Sequence, residues 1–90
     1  MDEPSIFTRY HALKAETSGS LLLVRVGDFY EAFGDDATII AKAIGLTLTS
    51  RDVAHGKRGT PMCGFPYHSL ENYLGKLVAA GHRVAIGEAV

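Results

Sequence analysis

The sequence predicts a mixed α/β (α+β) fold in which a small mixed β-sheet is flanked by about three helices. Apolar residues at helical spacing alternate along the chain with short aliphatic, β-branched runs, in the order helix, strand, strand, helix, strand, loop, helix, strand. A chain of 90 residues has room for only one small core, so we interpret residues 1–90 as a single domain.

The first helix is predicted over residues 5–16, where apolar side chains recur at helical spacing before a stretch of Thr, Ser and Gly. Residues 21–26 form an aliphatic run typical of a buried strand. Residues 27–28, a glycine and an aspartate, interrupt that run and predict a hairpin turn or bulge. Beyond the turn, we expect extended chain with Phe29 and Glu31 on one side.

A second helix is predicted to take its N-cap from residues 34–36 and to end at Gly45. Residues 46–49 alternate Leu and Thr, which predicts a strand. Residues 51–61 hold two glycines, a proline and three cations and predict an exposed loop.

The last third of the chain repeats the pattern of strand and helix. Residues 62–66 are interpreted as short extended chain leading to a turn, and Ser69 is placed to cap a third helix that Gly81 ends. Residues 83–86 then predict the last strand.

Composition narrows the function classes. Nine Lys and Arg against ten Asp and Glu give a net charge of −1, whereas proteins that bind phosphates non-specifically are usually strongly basic. Contact with nucleic acid is therefore expected only through a small local patch or within a larger assembly.

No apolar run approaches the ~20 residues of a membrane span, and the N-terminus lacks a signal-peptide pattern. We expect a cytoplasmic protein that does not bind membranes.

The residues offer little for catalysis. The sequence has no Gly-x-x-x-x-Gly-Lys-Ser/Thr run for nucleotide hydrolysis. Cys63 with His55 or His68 could in principle form a thiolate pair or supply two metal ligands. No second cysteine completes a zinc set, so we interpret Cys63 as a partly buried structural residue. The prediction is a non-enzymatic chain with no catalytic residue, cofactor or metal ion.

Two groups of residues leave a binding function open. From the pattern alone, Phe29 and Phe33 are interpreted as core residues and Glu31 as lying near a sheet edge. The alternative is an exposed aromatic ring beside a lone carboxylate. The cations of residues 51–58 fit either a solvated loop or contacts with phosphates.

Two longer motifs favour binding. Residues 25–33, Arg-Val-Gly-Asp-Phe-Tyr-Glu-Ala-Phe, and residues 61–68, Pro-Met-Cys-Gly-Phe-Pro-Tyr-His, resemble the N-terminal mismatch-recognition domain of the MutS family of DNA mismatch-repair proteins. The resemblance covers about residues 7–88 in the family's order and spacing. It implies the fold of that domain.

The resemblance also implies a binding site. In this family, the phenylalanine matched by Phe29 enters the DNA minor groove and stacks on a mispaired or unpaired base. The glutamate matched by Glu31 hydrogen-bonds the same base. The remaining residues that match family positions near the DNA backbone and minor groove are Arg51, Lys57, Arg58, Met62 and Gly64.

The sequence departs from the family in two respects. Family members are large dimeric clamps whose ATPase, lever and clamp domains follow this one, and the 90 residues include none of them. Gly87 and Ala89 stand where the family more often has Cys and Gln. We therefore expect double-stranded DNA with a mismatch or an unpaired base as a partner, bound weakly by the isolated chain. The alternative is a protein-interaction module of the same fold that binds a mismatch-repair protein or acts as a regulator with little DNA affinity of its own. The oligomeric state stays open.

Overall fold

A five-stranded mixed sheet forms the centre of the fold in the computed structural model, which describes residues 6–51 and 59–88, with only the backbone of Arg51. The elements follow one another as α1 (Ile6–Glu16), β1 (Leu21–Val26), β2 (Phe29–Phe33), α2 (Gly34–Ile44), β3 (Thr49–Arg51), β4 (Thr60–Pro66), a 3₁₀ turn (Tyr67–Ser69), α3 (Leu70–Ala79) and β5 (Val84–Glu88). The strand order is β3-β4-β2-β1-β5, with β1 and β5 parallel and the other pairs antiparallel. The predicted fold class is confirmed.

The sheet has a packed core on each face, because successive residues of a strand point to opposite sides. Leu21 and Leu23 of β1 face α2 and α3, whereas Leu22 and Val24 face α1. The larger core lies under α2 and α3 and is made by Leu21, Leu23, Tyr30, Ala32, Ala37, Ile40, Ala41, Cys63, Phe65 and Leu77. The smaller core lies under α1 and is made by Tyr10, Leu22, Val24 and Phe33.

A buried polar cluster joins α1, β1 and α2 where β2 leaves the sheet. Asp36 Oδ2 accepts the Leu22 N–H at 2.9 Å, and the Tyr10 hydroxyl donates to the Leu22 carbonyl at 2.6 Å. Lys14 Nζ lies 2.9 Å from Oδ2 of Asp36 and also donates to the Ser20 carbonyl. Burial, reinforced by the Asp36 charge, raises the pKa of the Tyr10 phenol above its usual range. Side chains thus satisfy the main-chain groups of Leu22 that β2 no longer reaches.

The prediction that residues 34–36 supply an N-cap was wrong. Phe33 is the cap residue and makes no side-chain capping bond, while the Asp36 carboxylate is engaged with β1. The predicted end of this helix is confirmed, since Gly45 adopts the left-handed conformation at φ 75° that terminates helices.

The predicted strand over residues 46–49 was misplaced. Residues 46–48 connect α2 to the sheet, because Leu46 N–H bonds back to Ala41 and its side chain packs against the larger core. Pairing with β4 begins only at Thr49.

The segment predicted as an exposed loop contributes to two strands. Arg51 ends β3, and β4 begins at Thr60, so the strand that includes residues 62–66 is longer than expected. Residues 52–58 lie outside the described part of the chain. Within the described residues, no helix is long and apolar enough to cross a membrane.

Candidate functional site

A shallow depression of about 320 Å³ opens on the same sheet face as α1. Residues of β2 and β4 form most of its lining, together with two residues at and just before the start of β3. The residues that line it are Phe29, Glu31, Thr47, Thr49, Met62 and Gly64.

Phe29 is the exposed ring at this depression. It is the first residue of β2 after the hairpin turn and lies opposite Val26 and Pro66. Its side chain is 45% exposed, while Phe33 at the other end of the strand is 4% exposed. The interpretation of both phenylalanines as core residues is therefore confirmed for Phe33 and wrong for Phe29.

The position of α1 explains the difference between the two phenylalanines. The rings of Phe7 and Tyr10 each pack edge to face on Phe33, with centroids 5.2 Å apart. Phe29 stands four residues away, which is about 13 Å along an extended strand. The helix thus buries one ring of this face and leaves the other exposed.

Glu31 lies between the two phenylalanines on the same face and is half-buried. It pairs with Val24 on one side and with Gly64 on the other. A Cβ atom built on Gly64 would lie 3.2 Å from Glu31 Cγ and 2.9 Å from the Tyr30 carbonyl oxygen. The absence of a side chain at Gly64 therefore gives the Glu31 side chain room to lie across β4.

Met62 and two threonines complete the lining. Met62 pairs with Phe33 and Thr49 and packs partly against the smaller core. Thr47 and Thr49 are exposed and were not selected as site residues from the sequence. The alternation of Leu and Thr over residues 46–49 was the signal that would have placed both threonines on one side.

Of the residues selected from the sequence, the structure brings Phe29, Glu31, Met62 and Gly64 together around one depression. The backbone of Arg51 lies in β3 opposite Thr60, and its side chain is outside the described residues. Lys57 and Arg58 also lie outside the described residues.

Cys63 lies on the opposite face of β4 and takes no part in this site. Its thiol is buried and contacts the Ala37 carbonyl at 3.5 Å. Burial raises the pKa of the thiol to about 11, so it is protonated and unreactive at neutral pH. His68 is exposed, and His55 lies outside the described residues. Among the residues that the structure describes, no group of three or more His, Cys, Asp or Glu side chains could hold a metal ion.

Comparison with known proteins gives the family. The family model of MutS domain I matches residues 4–90. The chain belongs to the MutS domain I family. The sequence resemblance is confirmed, and the sheet flanked by three helices is consistent with MutS domain I.

Curated relatives agree with this assignment. The chain is 49% identical over 85 residues to the DNA mismatch repair protein MutS of Aquifex pyrophilus, covering 94% of this chain and 10% of that protein. It is 47% identical over 85 residues to the MutS of Methanothrix thermoacetophila, with the same coverage. It is 50% identical over 80 residues to the MutS of Rhodopseudomonas palustris strain BisB18, covering 89% of this chain and 9% of that protein. The chain thus spans about a tenth of the length of these MutS proteins.

Proposed function

We propose that this chain is a non-enzymatic DNA-binding module that recognises a mispaired or unpaired base in double-stranded DNA. The observation that carries the proposal is the exposed Phe29 ring, which stands two residues before Glu31 at the start of a strand whose other residues are buried or half-buried. The names of the relatives, DNA mismatch repair proteins, support DNA as the partner.

Phe29 acts as the wedge. An apolar ring inserted from the minor groove partly unstacks a base step and kinks the duplex, at a cost of a few kcal/mol. A step with a mispaired or unpaired base is easier to deform than a paired one, so the wedge selects by deformability rather than by base identity. The first position of β2 suits this role, since the ring is exposed while pairing with β1 and β4 holds its backbone.

Glu31 contacts the base on which the ring stacks. An ionised carboxylate accepts hydrogen bonds from base donors, and a protonated one donates to base acceptors. In a groove lined by phosphates, a carboxylate without such a partner is unfavourable. Glu31 therefore disfavours paired duplex and contributes to specificity more than to affinity.

The cations Arg51, Lys57 and Arg58 supply the contacts with phosphates. Such contacts raise the affinity for any duplex and weaken with salt. Because the chain has a net charge of −1, its overall electrostatic attraction to phosphates is small, so we expect the chain alone to bind DNA weakly.

The test compares binding of a short duplex with one G·T mismatch and of its paired twin, by fluorescence anisotropy at low and physiological salt. We expect a preference for the mismatched duplex that persists as the salt is raised. Equal binding of both duplexes that disappears with salt would contradict mismatch recognition. It would favour the alternative of a protein-interaction module.

Phe29→Ala is the decisive variant, and Ile39→Ala is its matched control. Both side chains are apolar and similarly exposed, at 45% and 42%, but Ile39 lies on α2, which packs on the opposite sheet face. Stacking of an aromatic ring on a base contributes about 1–3 kcal/mol, so Phe29→Ala should bring the ratio of the two affinities close to one. Ile39→Ala should leave the ratio unchanged. Both variants should retain the wild-type thermal unfolding midpoint to within a few degrees.

A further inference from the structure

Contacts made by Arg25 and Tyr67 stabilise the turn at residues 27–28 that precedes Phe29. Arg25 Nε donates a hydrogen bond to the Gly27 carbonyl at 3.1 Å, and its Cζ lies 4.2 Å from the centroid of the Tyr67 ring. The Tyr67 backbone N–H in turn donates to the Asp28 carbonyl at 2.8 Å. These contacts link both residues of the turn to the chain that follows β4.

The linkage lies away from the depression. Val24 and Val26 pack with the smaller core on the face of α1, so Arg25 between them points to the other face. Phe29 pairs directly with Val26 and shares its face. The stacked guanidinium therefore supports the turn without occupying the surface where a base would lie.

We propose that Arg25 and Tyr67 are positioning residues that hold the backbone of the turn carrying Phe29 in one conformation before DNA binds. The role deepens the function proposed above and depends on it. A wedge that is already ordered loses less conformational entropy on binding, which leaves more of the contact energy for the complex. Gly27 adopts φ 61°, a conformation that glycine reaches without a steric penalty, and its carbonyl accepts the hydrogen bond from Arg25.

An arginine is required for both contacts at once. The planar guanidinium stacks on an aromatic ring while its Nε–H donates in the plane, whereas a lysine ammonium keeps the charge but has neither the plane nor the Nε donor. Arg25→Lys therefore separates a positioning role from a direct contact with a phosphate, which needs only the charge.

The first measurement uses the free chain and requires no DNA. Backbone ¹⁵N relaxation reports the order parameters of the amides of residues 27–29. We expect values of about 0.85 in the wild type and below about 0.6 in Arg25→Lys, Arg25→Ala and Tyr67→Ala. Tyr67→Phe keeps the ring and should behave as the wild type. Unchanged order parameters in chains that remain folded by thermal unfolding would overturn the proposal.

The second measurement compares the mismatched and paired duplexes by NMR titration, which detects weak binding. Arg25→Lys should lower the mismatch preference about three- to tenfold, with little change in affinity for the paired duplex. Full mismatch preference in Arg25→Lys, with equally weakened binding of both duplexes in Arg25→Ala, would overturn the proposal in favour of a phosphate contact. If Phe29→Ala also left the preference unchanged, the proposed function would fail, while the order parameters would still decide whether Arg25 and Tyr67 hold the turn.

Discussion

Glu31 and Gly64 face each other across β2 and β4, and the glycine leaves the space over which the Glu31 side chain lies. A Cβ atom at position 64 would come within 3.2 Å of Glu31 Cγ and 2.9 Å of the Tyr30 carbonyl oxygen. The second contact is with backbone inside a paired strand, which has little freedom to move. Gly64 therefore belongs to the site through the space that it leaves empty.

Replacement of this glycine should perturb both stability and the site. Gly64→Ala forces β4 or Glu31 to move, and we expect a loss of about 1–3 kcal/mol in the free energy of unfolding. Gly75→Ala is the matched control. It lies in α3 with nothing within 4 Å of its Cβ position, so alanine should stabilise the helix by about 0.5–1 kcal/mol. Chemical denaturation measures both, and a Gly64→Ala variant as stable as the wild type would contradict the packing described.

Loss of the Glu31 charge should reduce discrimination between duplexes. In Glu31→Gln the side chain keeps its size, and the repulsion by the phosphates disappears, so affinity for paired DNA should rise more than affinity for mismatched DNA. We expect the mismatch preference to narrow severalfold in anisotropy titrations. Glu71→Gln, an exposed carboxylate of α3, makes the same charge change away from the depression and should raise both affinities equally. An unchanged ratio in Glu31→Gln would remove this residue from the recognition mechanism.

Loss of the buried Asp36 carboxylate of α2 should destabilise the chain far more than loss of the exposed carboxylate of Asp35. Asp36→Ala removes the acceptor of the Leu22 N–H and the carboxylate partner of the Lys14 ammonium, which keeps its bond to the Ser20 carbonyl. We expect a loss of about 2–4 kcal/mol, because a buried donor and a charge lose their partner together. Asp35→Ala, an exposed residue of the same helical turn, should cost less than about 1 kcal/mol. Equal effects of the two substitutions on the denaturation midpoint would show that the buried contacts of Asp36 do not stabilise the chain.

The buried thiol predicts a loss of stability at alkaline pH. The pKa of Cys63 rises from 9.0 to about 11 on folding because burial disfavours the thiolate. Above pH 9 the unfolded chain releases this proton while the folded chain keeps it, so the free energy of unfolding falls between pH 9 and pH 11. Denaturation series over this range should show a shallower fall in Cys63→Ala than in the wild type. Parallel curves would show that the thiol ionises equally in both states.

Local pattern predicted most of the elements. Residues 5–16 and 21–26 were identified because their apolar spacing is unambiguous, and Gly45 because a left-handed residue ends the helix. The motifs over residues 25–33 and 61–68 also contain four of the six residues that line the depression, Phe29, Glu31, Met62 and Gly64, but neither threonine.

The wrong predictions share a long-range cause. Alternation places Phe29 and Phe33 on one side of β2, and only the position of α1 decides that Phe33 is buried and Phe29 is not. Asp36 stands two residues after a glycine and resembles a cap, but its partner is Leu22, a residue of β1. The start of β3 depends on where the chain reaches β4, which the Leu and Thr alternation does not encode.

The proposed mismatch recognition depends on contact between the Phe29 ring and the mismatched base. With chain selectively labelled at phenylalanine, intermolecular NOEs in the complex with the G·T duplex report which protons the Phe29 ring touches. The proposal predicts NOEs from this ring to minor-groove protons of the mismatched step, and none in the paired duplex. NOEs confined to sugar protons away from the mismatch, with Phe29 signals unchanged by DNA, would contradict it.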